Sequence, residues 1–221
     1  MLSRFFGRTC APPRTFKPLR NFSRRQRKNE PTSSALAADS GGFPLLNTGD
    51  SSNGEWLLEE SYRLYDVTSC VLGLVLDECS IHEKCIHGCG AGPKFEFLWA
   101  ATDGSHASPR SLPAVAYFGK VFKNSEATLD QLAACAELPP NEELVATLSI
   151  PWRRLLRVFS HVIAVHWSTI ESMGAKQAVR EAVTHSVKVV RLYKNALVAE
   201  AELEPLAGLE EPNTVIAGRV L

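Results

Sequence analysis

Two cysteines and two histidines carry the densest chemistry in this chain. Cys79 and Cys85 are separated by five residues, and His161 and His166 by four. Two thiolates and two imidazoles are soft or borderline ligands, and such a set makes a closed tetrahedral zinc site of the structural kind. Cys89, His82 and His87 stand in the same stretch as Cys79 and compete as ligands. A catalytic zinc would instead keep one position open and need an acid as base, for which Glu78 and Glu83 are at hand. A second cluster is cationic. Arg153, Arg154 and Arg157 lie one helical turn or less apart, and His161 continues their row. Guanidinium forks near a helix start make an anion site.

The arginines and histidines belong to one segment, Pro151 to Trp167. Leu155, Leu156, Phe159, Val162 and Ile163 recur at three- and four-residue steps, so one stripe of this helix is buried. Pro151 suits a first helical turn, with Ser149 placed to cap it. Histidines five positions apart lie about 140° apart on an ideal helix, so convergence on one metal requires a local distortion. The thiols come from a loop rich in glycine after a first helix, Glu55 to about Leu76, with Asn53 as its cap. Glu55, Glu59 and Glu60 then fall in its first turns, where the dipole favours acids. Lys94 to Trp99 alternates as a short strand of a hairpin. Pro113 opens a helix to about Phe122, Thr128–Leu138 reads as another, and Lys176 to about Glu200 as the last.

A chain of 221 residues with 45% apolar content holds one domain with a real core. Its formal net charge of zero hides a division. The first 29 residues hold nine Lys or Arg and no acid, leaving 15 basic against 24 acidic residues in the rest. An acidic body suits basic partners. No apolar run is long enough to cross a membrane, and six cysteines without a secretory signal favour metal-binding thiols in a reducing compartment over a disulfide framework. Residues 1–54 read as a basic, disordered tail whose acid-free, Arg-rich start also has the composition of a mitochondrial transit peptide.

Several of these stretches together resemble the Mob (Mps-one-binder), or Mob/phocein, family. They are Gly92-Pro93-Lys94-Phe95-Glu96-Phe97-Leu98-Trp99; Arg154-Leu155-Leu156-Arg157-Val158-Phe159-Ser160-His161 with His166; Glu55-Trp56 before Cys79; Arg14-Thr15-Phe16-Lys17-Pro18; and Glu202-Leu203-Glu204-Pro205-Leu206. The resemblance implies a mainly α fold, a helical core around a four-helix bundle with a small hairpin and a structural zinc. It spans residues 55–206, between the N-terminal tail and a C-terminal tail of residues 207–221.

By the same resemblance the protein is not an enzyme. It would bind and coactivate an AGC-type kinase of the NDR/LATS class through Glu55 and Trp56. Arg153, Arg154 and Arg157 would read phosphorylated segments of Hippo-type kinases or scaffolds, in cell division or morphogenesis signalling. Thr15 falls at the family's phosphoregulated threonine. The location implied is the cytoplasm, with the nucleus as a second site, and neither membrane nor nucleic acid as partner. The chain departs from the pattern in three ways. Its cysteine pair has one extra intervening residue, which leaves Cys85 and Cys89 competing; Arg63 stands where many members have an acid; and residues 100–150 match poorly. Two other functions remain on the same residues: a zinc protein imported into mitochondria, and a zinc hydrolase using Cys79, His161 and His166.

Overall fold

A computed structural model describes residues 51–100, 108–194 and 196–209. Thr15 and the basic tail before residue 51 lie outside the described residues, as does the C-terminal tail from residue 210. In order, the elements are α1 (Ser51–Ile81), α2 (Glu83–His87), β1 (Gly90–Ala91), β2 (Phe95–Glu96), α3 (Ala114–Ala134), α4 (Asn141–Ser172), α5 (Lys176–Leu192) and α6 (Glu200–Leu203), followed by a 3-10 turn at Glu204–Leu209. The mainly α architecture with one small hairpin is the one the resemblance implied.

Helix α4, 32 residues long, is the axis of the fold. It packs along α1 and against α3, α5 and β1, and the 3-10 turn also rests on it. Its buried face runs Leu144, Leu148, Trp152, Leu155, Phe159, Val162 and Ile170, almost all fully enclosed. Opposite it α1 contributes Leu57, Leu64, Val71, Leu72 and Val75, and α3 contributes Tyr117, Phe118, Val121 and Leu129. A polar bolt ties the two long helices, for the Trp152 indole N–H donates to the Ser61 hydroxyl at 2.8 Å. No described helix is long and apolar enough to cross a membrane.

Four boundaries differ from the sequence expectations. Pro151 lies inside α4 rather than opening it, and Ser149 is likewise internal, its hydroxyl donating to the Ala146 carbonyl. A proline within a helix removes a hydrogen bond and costs about 3 kcal/mol. Burial of Leu144 and Leu148 on the Trp152 stripe offsets that cost and carries the helix back to Asn141. Helix α1 begins at Ser51, so Asn53 is helical rather than a cap. Its start is held by packing, with Gly54 pressed against Leu144 and Asn141 of α4. The two helices expected around residues 113–138 are one, α3, because Phe122, Ser125, Leu129 and Leu132 continue a single buried stripe through the polar middle. Helix α5 stops at Leu192, short of Glu200.

The hairpin pairs Gly90 with Glu96 and Ala91 with Phe95. A Cβ on Gly90 would stand 2.2 Å from the Phe95 carbonyl oxygen, so only glycine lets the strands approach this closely.

Candidate functional site

The end of α1 and the short helix α2 bring the cysteines onto α4. Cys79 lies in the last turn of α1 and Cys85 in α2, whose N-cap is His82. Cys79 Sγ stands 3.6 Å from His161 Nε2; Cys85 Sγ stands 3.4 Å from the same nitrogen and 3.5 Å from His166 Nε2. All four ligand atoms fall within 4.8 Å of one another, and all four residues are buried. A tetrahedral zinc with Zn–S near 2.3 Å and Zn–N near 2.1 Å would put sulfur and nitrogen about 3.6 Å apart. The separations match that requirement. Cys79, Cys85, His161 and His166 are therefore placed to bind a metal.

The distortion required by the histidine spacing is present at His166 itself. Its backbone leaves the helix, with φ −119° and ψ 17°, and this turns its ring onto the same side as His161. Each imidazole shows its Nε2 to the thiols and its Nδ1 to an acceptor. Nδ1–H of His161 donates to the Gly90 carbonyl at 2.8 Å, while Nδ1 of His166 faces a Glu78 carboxylate oxygen at 3.1 Å. That second contact is a close approach of a carboxylate to the ring, without hydrogen-bond alignment. Burial lowers the His161 pKa to about 4 despite the Gly90 contact, and burial also lowers that of His166. Both rings are thus neutral at physiological pH, the form that binds a metal. Burial raises the thiols of Cys79 and Cys85, so metal binding must displace their protons.

The competing ligands take other places. Cys89 is buried near the thiol pair but outside the four-atom cluster. The ring of His82 packs edge-on against that of His166, and its Nδ1 accepts from the Lys84 backbone N–H. His87 is exposed. Of the two acids, Glu83 is exposed, whereas Glu78 is drawn to the site. The Glu78 carboxyl is lowered chiefly by the hydrogen bond from the Thr169 hydroxyl.

The arginines occupy three different environments. Arg154 is buried at 6% exposure; it lies 4.1 Å over the Trp99 ring and donates through Nη2 to the Ala100 carbonyl at 2.8 Å. Its Nη1 has no hydrogen-bond partner among the described residues. Arg157 forks onto Glu202 and also reaches the Tyr117 hydroxyl at 3.2 Å. Burial opposes its charge, but the hydrogen bonds to Glu202 and Tyr117 prevail and raise its pKa. Arg153 is the most exposed of the three, with Nε 3.9 Å from Glu202. The row is thus one cationic surface with a carboxylate set into it. In the sequence Trp99 and Glu202 stand only as parts of motifs; nothing in their spacing reveals that they seat arginines.

Glu55 and Trp56 lie on α1, both half-buried. Trp56 packs against the core and stacks on Tyr193, centroids 6.5 Å apart. With the helix starting at Ser51, Glu55, Glu59 and Glu60 all lie beyond its first turn. Glu60 is buried and accepts from His185 Nε2 at 2.6 Å, with Arg63 3.7 Å away.

The family model of the Mob1/phocein family matches residues 50–206. The chain belongs to the Mob1/phocein family. It is 26% identical over 210 residues to MOB kinase activator 3C of Homo sapiens, covering 91% of this chain and 94% of that protein. MOB kinase activator 3B of Mus musculus is 26% identical over 200 residues, 87% of this chain and 90% of the relative. A more distant Mob relative, MOB kinase activator-like 1 homolog C of Dictyostelium discoideum, is 24% identical over 161 residues, 70% of this chain and 71% of its own. The Mob match runs from the start of α1 to the 3-10 turn, taking in the metal ligands, the arginines and Glu202.

Proposed function

We propose that this protein is a non-catalytic kinase adaptor and coactivator that binds an NDR/LATS-type AGC kinase and the phosphorylated segments of upstream partners in cell division or morphogenesis signalling. Family membership and relatives named kinase activators support the adaptor class. The observation that carries the phosphate reading is the buried Arg154 guanidinium. A buried cation with a donor that has no partner among the described residues is costly unless an anion reaches it. Arg153 and Arg157 stand beside it on α4, so a phosphate dianion would meet several forks at once.

The acid surplus of the body supports a basic kinase segment as the partner, with Glu55 and Trp56 as its seat. Residues 55–206 would form the Mob domain, and the metal would be zinc in a structural role, its four protein ligands leaving no place for substrate. The free thiols of the described residues suit the cytoplasm, with the nucleus as a second location.

The deciding experiment is titration of the full chain with a phosphothreonine peptide and its bare counterpart. Arg153→Ala with Arg157→Ala should abolish the preference for phosphate while far-UV circular dichroism is unchanged. Equal affinity for the two peptides would refute the phosphate reading. Kinase docking is tested separately by co-purification, where Glu55→Lys should lose the kinase.

A further inference from the structure

The two imidazoles of the metal cluster are anchored by different means. His161 is held by a main-chain carbonyl, that of Gly90. His166 sits on the one non-helical turn of α4, and the group facing its Nδ1 is a side chain from another helix, Glu78 of α1. Glu78 immediately precedes the ligand Cys79 in sequence. Its other carboxylate oxygen accepts a short hydrogen bond from the hydroxyl of Thr169, three residues beyond His166. The carboxylate therefore joins the kink residue to the turn that follows it and links both to the helix that delivers the first thiol.

We propose that Glu78 is a positioning residue for the metal: its carboxylate faces Nδ1 of His166 at 3.1 Å, favours by its charge the tautomer that carries the proton on Nδ1 and leaves Nε2 free for the metal, and holds the kinked turn of α4 through Thr169. A carboxylate behind a ligating histidine raises the basicity of the imidazole and fixes its orientation, and its loss typically weakens metal binding about 10- to 100-fold. With two cysteines already supplying negative charge, the lower end of that range applies. Glu78 is thus given a role distinct from the general base of a hydrolase, since its carboxylate is occupied behind a ligand. This inference rests on the zinc reading of the four-residue cluster.

The test uses the full chain loaded with zinc or with cobalt(II). Zinc affinity is measured by competition with a chromophoric chelator, the cobalt(II) absorption bands report ligand geometry, and the melting temperature of the metal-free protein reports folding. Glu78→Gln should weaken zinc about tenfold, shift the cobalt bands and leave the metal-free melt unchanged. Thr169→Val should weaken zinc in the same direction by less. Equal zinc affinity and superimposable cobalt spectra for wild type and Glu78→Gln would overturn the proposal. So would a metal-free melt lowered as much as the loaded one, which would make Glu78 a fold element only. A wild-type protein that binds neither metal would refute the metal site itself, a distinct outcome.

Discussion

Arg157 and Glu202 meet fork to fork across 45 residues of sequence, with Nε to Oε2 at 3.0 Å and Nη2 to Oε1 at 2.9 Å. The pair joins α4 to α6, whose Leu203 is buried beside it, and Arg153 adds a weaker approach to the same carboxylate. Glu202 thus occupies the guanidinium surface on which a phosphate would land.

Replacing Glu202 by Gln removes the charge but keeps the shape. Stability should fall by about 1 kcal/mol, the scale of a partly exposed charge-assisted pair, read from the urea midpoint. Phosphopeptide affinity should rise several-fold because Arg157 is released. Unchanged affinity would mean that Glu202 and the phosphate do not compete.

Removing a metal ligand should act on folding and metal content together. His161→Ala or His166→Ala should lose the metal, measured by atomic emission, and lower the melting temperature sharply, because binding energy at such a site is folding energy. Full zinc content in both variants would refute the ligand assignment.

The His161 pKa gives a pH dependence with a definite sign. The unfolded ring takes up a proton near pH 6.5, while the folded ring waits until about pH 4. The unfolded state therefore binds more protons in that window, and stability falls as pH drops through it, by on the order of 3 kcal/mol in full. His166, lowered by burial, acts in the same sense. The carboxyls of Glu59 and Asp66, raised by burial, act oppositely nearer the carboxylate range. Urea unfolding of the metal-free protein should show lower stability at pH 5.5 than at pH 7; equal midpoints would contradict the buried neutral imidazole.

Phe159 of α4 is fully enclosed in the core. Phe159→Ala should cost about 3–5 kcal/mol, the range for a large core truncation. An exposed comparison, Lys188→Ala on α5, should change the urea midpoint little.

Much of this protein was legible in residue order because the relevant physics is local. The apolar stripe of Leu155, Leu156, Phe159 and Val162 marked the buried face of α4, and the five-step spacing of His161 and His166 demanded the kink that occurs at His166. The alternation of Lys94 to Trp99 marked a strand of the hairpin, of which Phe95 and Glu96 are the paired residues. What residue order left open depends on who lies opposite. Pro151 reads as a helix start, and only the burial of Leu144 and Leu148 against neighbouring helices shows why the chain tolerates it within one. Cys85 and Cys89 are equivalent by chemistry, and the placement of α2 over α4 sets Cys85 beside both imidazoles. The three arginines look alike in sequence; Trp99, Ala100 and Glu202, each more than 40 residues away, make one a buried stack, one a fork and one a surface charge. Spacing determines what a helix can present, and tertiary contact determines what each presented group is left free to bind.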